Sequence, residues 1–239
     1  MSENGQLEPK DVLEVGAKTL FGPVADLFAK LTGPAAEEYG LMWQDSVKMR
    51  RTKRLVSGLS KTKKMLEGAG IDANIVPDKL LLPIFEGMSV EDDESLSDMW
   101  ASLLANGASH EDAQKVRPGF TAILKQMAPD EAALLNWIYD EAEKLIPAKD
   151  ILEPFPQSNL VPAYASIGFG VYSPDPPAGL PSATVNAWEF GSCFDSLEAQ
   201  QLIRTRYDVV TSGNPAPYFS LTYLGAQFVR ACRPPAPKK

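Results

Sequence analysis

In Ser95-Leu96-Ser97-Asp98-Met99-Trp100-Ala101-Ser102-Leu103-Leu104-Ala105 the large apolar side chains recur at i, i+3, i+4, i+7 and i+8, counted from Leu96. That spacing places Leu96, Met99, Trp100, Leu103 and Leu104 on one wide helical face, which can only be satisfied by burial against other elements. Asn106-Gly107 follows as a stop. Upstream, Ser89 reads as the N-cap, with Glu91, Asp92, Asp93 and Glu94 filling the first turn, where carboxylates favour the positive end of the helix dipole.

The pattern extends in both directions. Pro77 opens a short apolar helix over 78–87 carrying Leu80, Leu81, Ile84 and Phe85. Before it, residues 35–67 read as a long helix with a narrow stripe of Val47, Leu55, Leu59, Thr62 and Leu66, stopped by Gly68 and Gly70. Residues 12–31 read as an amphipathic helix broken near Gly22-Pro23, with Val24, Leu27, Phe28 and Leu31 at helical spacing. Downstream, a helix over 114–127 is interrupted or started near Pro118. Pro129-Asp130-Glu131 then starts another, with Leu134, Leu135, Ile138, Tyr139, Ala142 and Leu145 on its core face and Pro147 as its end.

Composition changes near residue 150. Prolines crowd 151–190, which predicts an irregular connector with one or two short strands, such as 166–172. The remainder reads as a helix over 194–203, a strand over 206–211, a turn at Ser212-Gly213-Asn214-Pro215, a strand over 218–222 and a closing helix over 224–232. Helix, hairpin, helix is the back half of a winged-helix module. The expected fold is therefore mainly α: a helical bundle over 1–150, the connector over 151–190, and a small α+β winged-helix-like module with a frayed tail over 191–239.

The chain has 239 residues, of which 44% are hydrophobic, enough for a real core, and a net charge of −8, which opposes whole-protein attraction to nucleic acid or anionic lipid. Charge is laid down in blocks. Residues 44–64 carry 8 basic and 1 acidic side chains, and residues 65–114 carry 1 basic and 11 acidic. Lys48, Arg50, Arg51, Lys53, Arg54, Lys61, Lys63 and Lys64 are thus the leading candidates for binding a partner or an anion. Two expectations compete for them: pairing with the acids of 78–98 in the same molecule, or contact with the phosphates of nucleic acid or with lipid headgroups at a membrane surface.

The residues for covalent or metal chemistry are sparse. His110 is the only histidine and lies in the polar run Ala108-Ser109-His110-Glu111-Asp112; Cys193 and Cys232 are the only cysteines and are expected to be reduced thiols. No paired-ligand spacing for zinc occurs, and neither GxxxxGK[ST] nor GxGxxG is present. Glu91 to Glu94 point in different directions on a helix, and a helix start explains them without a metal. No catalytic residue, metal or cofactor is expected, and the protein is expected not to be an enzyme.

The start Met1-Ser2-Glu3-Asn4-Gly5 is polar, which predicts a cytoplasmic location. The longest uncharged run, between Glu153 and Asp175, holds too many prolines and glycines for a spanning helix. Phe21, Leu27 and Phe28, flanked by Lys18 and Lys30, have a second reading as an interfacial membrane helix, with core packing the alternative. The winged-helix-like module invites a DNA-binding reading, against which stand Asp195 and Glu198 on the helix that would enter the groove.

Two stretches carry a family resemblance. One is Val76-Pro77-Asp78-Lys79-Leu80-Leu81-Leu82-Pro83-Ile84-Phe85-Glu86, running on through Ser95 to Ala105. The other is Leu202-Ile203-Arg204 with Phe219-Ser220-Leu221-Thr222-Tyr223-Leu224-Gly225-Ala226-Gln227-Phe228-Val229-Arg230-Ala231-Cys232. With the basic helix before them, they resemble the Abi-alpha family from about residue 12 to 232. The resemblance implies a part in bacterial abortive infection, in which an infected cell stops growing or dies before phage matures. It brings no catalytic residues. The expected mode of action is contact with a protein partner, a second copy of the chain, or an anionic surface. The alternatives are a winged-helix transcription regulator and a membrane-perturbing effector.

Overall fold

The computed structural model describes residues 22–33, 49–110, 113–145, 155–156, 160–169, 171–172, 183–209 and 215–237. The expectations placed on residues 12–21, on 35–48 with Val47 and Lys48, on Pro147 and on the turn residues 212–214 lie outside these. The protein is mainly helical, and it divides into two compact units: residues 1–125 with 231–239, and residues 126–230.

The first unit contains α1 (Ala25–Thr32), entered through the tight turn Gly22–Val24, then α2 (Met49–Ala69), α3 (Asp78–Val90), α4 (Glu94–Ala108) and α5 (Gly119–Gln126). Helix α2 packs on both α3 and α4, and α1 packs on α2 and α3. The apolar face that the 95–105 pattern predicts is buried: Leu96, Met99, Trp100, Leu103 and Leu104 all lie inside. Facing them are Leu55, Leu59 and Leu66 of α2 and Leu81, Ile84 and Phe85 of α3. Thr62 sits in the same stripe at no exposure. Its hydroxyl oxygen is 3.0 Å from the Gly58 carbonyl and 3.2 Å from that of Ala101, so the polar group is satisfied. Gly87 leaves room for the Trp100 indole, which occupies the space a Cβ there would need.

The start of α4 differs from the sequence expectation. Ser89 is buried in the last turn of α3, its hydroxyl donating to the Glu86 carbonyl at 2.8 Å. The apolar run carries α3 on to Val90 because Met88 is still packing inward. Asp93 is the cap instead: its carboxylate accepts from the Leu96 N–H at 2.9 Å and from the Ser95 hydroxyl at 2.7 Å. Only Glu94 of the four acids lies in the first turn, while Glu91 folds back to accept from the N–H groups of Asp92 and Asp93. At the other end, α4 runs through Asn106-Gly107 to Ala108. The Asn106 amide donates to the carbonyls of Ala231 and Arg233 at 2.9 and 2.8 Å, tying down the C-terminal segment of this unit.

In the second unit, α6 (Pro129–Leu145) begins on proline with Asp130 and Glu131 in its first turn, as its sequence signals require. Glu131 accepts from the Ala128 N–H at 2.9 Å, and Leu134, Leu135, Ile138, Tyr139 and Ala142 are buried. There follow β1 (Phe155–Pro156), α7 (Leu160–Tyr164), a wide helical turn Ala165–Phe169 kinked at Gly168, β2 (Val171–Tyr172), β3 (Ala183–Thr184), α8 (Ala187–Ala199), β4 (Ile203–Val209), β5 (Pro215–Leu221) and α9 (Tyr223–Ala231). The strands form one antiparallel sheet in the order β1-β5-β4 and a small β2-β3 pair. In the hairpin, Ile203 lies opposite Leu221 and Thr205 opposite Phe219.

Two expectations are corrected here. Of the strand read over 166–172, only Val171–Tyr172 is extended. Residues 165–169 are helical because Tyr164 anchors them. Its ring is buried against Phe169 and Phe190, and its hydroxyl donates to Asp130 at 2.7 Å. Helix α8 starts at Ala187 rather than Phe194 and ends at Ala199. Asn186 caps it by accepting from the Trp188 N–H at 3.0 Å. The order helix, hairpin, helix stands, with these shifted bounds.

Candidate functional site

The candidate cations lie on one element. Lys48 is outside the described residues; Arg50, Arg51, Lys53, Arg54, Lys61, Lys63 and Lys64 all belong to α2. At 3.6 residues per turn the buried stripe of Leu55, Leu59, Thr62 and Leu66 spans about 60° of arc, and most of the basic residues fall elsewhere on the circumference.

These side chains divide into two sets. Arg54 and Lys61 turn towards the acids that follow α3. Arg54 meets Asp92 at 3.0 Å and also donates to the Val90 carbonyl at 2.7 Å. The Lys61 ammonium sits between Asp98 at 2.7 Å and Glu94 at 2.8 Å, with the Ser97 hydroxyl at 3.1 Å. Burial works against the Lys61 charge, but the hydrogen bonds and charges of Asp98 and Glu94 outweigh it, and the pKa is raised. Lys63 lies 3.9 Å from Glu67, one turn along. The remaining four, Arg50, Arg51, Lys53 and Lys64, are exposed and form no ion pair among the described residues. The two sequence expectations each describe part of the block: Arg54 and Lys61 pair with acids of 78–98, Lys63 lies near Glu67 of its own helix, and the other four stay in solvent.

Arg50, Lys53 and Lys64 fall within about 60° of arc, and about 21 Å separates the first from the last along the axis. Ser57, exposed, falls between them on the same side. The sequence reading did not single out this hydroxyl, although its i+4 spacing from Lys53 was visible. Arg51 projects from another side of the first turns.

Elsewhere, His110 is exposed in a turn. Cys193 and Cys232 are free and buried; burial pushes both thiols well up, and Asp130 and Glu131 add to the effect on Cys193. Burial, with the Asp130 hydrogen bond, also pushes the Tyr164 phenol up. Among the described residues no group of three or more His, Cys, Asp or Glu is placed to hold a metal, and no helix is long and apolar enough to cross a membrane. Leu27 and Phe28 are buried, Phe28 stacking on Phe85 with ring centroids 5.7 Å apart. Phe21 and Lys18 lie outside the described residues. In the hairpin region Glu198 accepts from the Thr205 N–H at 2.9 Å, so this acid fastens α8 to β4.

The fold and the charge geometry define a mainly helical protein with a half-neutralised cationic helix. The family model Abi_alpha, abortive infection alpha, matches residues 52–232, and the chain belongs to that family. The match takes in Lys53, Arg54, Lys61, Lys63 and Lys64 and begins just after Arg50 and Arg51. Comparison with curated proteins gives no match, and comparison with solved structures gives none.

Proposed function

We propose that this protein serves abortive infection in the cytoplasm by contact with a partner, through the solvent side of α2, and not by catalysis of its own. The observation that carries this reading is the set of exposed cations Arg50, Lys53 and Lys64, without an ion pair among the described residues, on a helix whose opposite side is locked into the core. Family membership supplies the biological setting. The non-catalytic part is supported by the exposed setting of His110 and by thiols that burial keeps protonated. Leu27 and Phe28 pack inward, which favours partner contact over membrane insertion by the first helix. Glu198 is held by β4, which favours a structural role for the winged-helix-like region over DNA reading by α8.

Expression in a bacterial host followed by challenge with a broad phage panel tests the setting. Fewer plaques and loss of infected cells before burst are expected relative to an empty vector. Plaque counts equal to the vector across the panel contradict it.

A further inference from the structure

We infer that the solvent side of α2 binds the phosphate backbone of nucleic acid, a reading that names the partner class for the contact proposed above and rests on it. Three features of that side carry the inference. Arg50, Lys53 and Lys64 lie along one line and form no ion pair among the described residues. The residue between them is Ser57, a hydroxyl donor of the kind that accompanies basic side chains on phosphates. Among the described residues, no large apolar side chain is exposed on this side of α2. A protein interface centres on buried aromatic or aliphatic anchors, and an interfacial membrane helix needs an apolar face to insert, so this surface is built for neither. A row of cations and a hydroxyl without apolar anchors is suited to a polyanion whose affinity comes from counterion release.

The internal pairs shape the footprint. Lys61 with Glu94 and Asp98 leaves one net negative charge on one flank of the row. A phosphate chain would therefore lie over Lys53, Ser57 and Lys64 and away from α4. Contacts to phosphate alone read no base sequence, so binding is expected to be sequence-independent.

The experiment uses the full chain and fluorescence anisotropy with labelled single- and double-stranded 30-mers, titrated over a salt series. Neutralising three phosphates predicts a slope of log Kobs on log salt of about −2 to −3. The variant Arg50→Ser/Lys53→Ser/Lys64→Ser should lose at least tenfold in affinity at low salt and most of the slope. The control Lys79→Ser/Arg117→Ser/Lys144→Ser removes the same charge elsewhere and should bind as the parent does. Circular dichroism should show both variants folded. Absence of binding at the lowest salt, an equal loss in the control, or binding to vesicles of anionic phospholipid without binding to either oligonucleotide each overturns the inference. Phage challenge with the α2 variant separates this from the wider reading. Loss of nucleic-acid binding with defence intact leaves the inference standing and removes it as the basis of defence.

Discussion

The ammonium of Lys61 stands 2.7 Å from the Asp98 carboxylate and 2.8 Å from that of Glu94, so one cation of the basic helix holds two acids of the next hairpin of helices in place. Its side chain is only 19% exposed, while those of Glu94 and Asp98 are 86% and 54% exposed, so solvent screens the acids more than the lysine. Lys61→Met removes the cation and leaves the two carboxylates facing each other. We expect a loss of about 1 kcal/mol in urea unfolding, smaller in high salt. The raised pKa of Lys61 gives a second signature. A group whose folded pKa lies above its ordinary 10.5 contributes fully below that value and loses its contribution as pH rises through the folded one. The gap between parent and variant should therefore be flat up to about pH 10 and close above it.

Asp93 predicts the opposite pH behaviour. Burial would raise its pKa, but the Leu96 N–H, the hydroxyl and N–H of Ser95 and the charge of Lys61 outweigh it and hold the carboxyl below its ordinary 3.8. Its contribution is present above that value and is lost as pH falls through the folded pKa. Asp93→Ala should cost about 1 kcal/mol at neutral pH, as loss of an N-cap does, and the difference from the parent should shrink below about pH 4. Ser89→Ala should not show this pH dependence, because Ser89 caps nothing and bonds only within α3. Denaturant unfolding at a series of pH values checks both.

Gly225 is required by close approach. A Cβ there would collide with the backbone carbonyl of Leu202, which also accepts the Thr222 N–H at 3.0 Å and so is fixed in place. Gly225→Ala should cost about 2–4 kcal/mol, since backbone cannot yield as a flexible side chain can. Gly87→Ala, which meets the Trp100 ring, should cost about 1–3 kcal/mol. Thermal melts of the two variants test the ranking.

The thiols give a simple solution test. Cys193 and Cys232 are both buried and both pushed up in pKa by that burial. A disulfide reagent at pH 8 should label neither on the time scale of a free thiol, and should label both in guanidinium. Fast labelling of either thiol in the folded protein contradicts this arrangement.

Much of the helical first unit was legible because its signal is periodic. Leu96 to Leu104 and Leu55 to Leu66 are where the spacing put them, on buried faces. The bounds were less legible where two residues of the same capping type compete. Ser89 and Asp93 both suit an N-cap, and the choice depends on whether Met88 still packs inward, which is a tertiary fact. Residues 160–169 look broken by proline and glycine, yet one buried Tyr164 holds them helical. The cationic block was visible from composition, but which cations face Asp92, Glu94 and Asp98 follows from the packing of α2 on α4. Asn186 was a readable cap signal for α8, and a helix start at Phe194 passes it over.

The most direct test of the account is the efficiency of plating of a phage that the parent protein blocks, measured with Arg50→Ser/Lys53→Ser/Lys64→Ser at matched protein levels. The account predicts that plaques return to the vector level with the variant while the control Lys79→Ser/Arg117→Ser/Lys144→Ser still protects. Full protection by the α2 variant would contradict the claim that this side of the helix is where the protein acts.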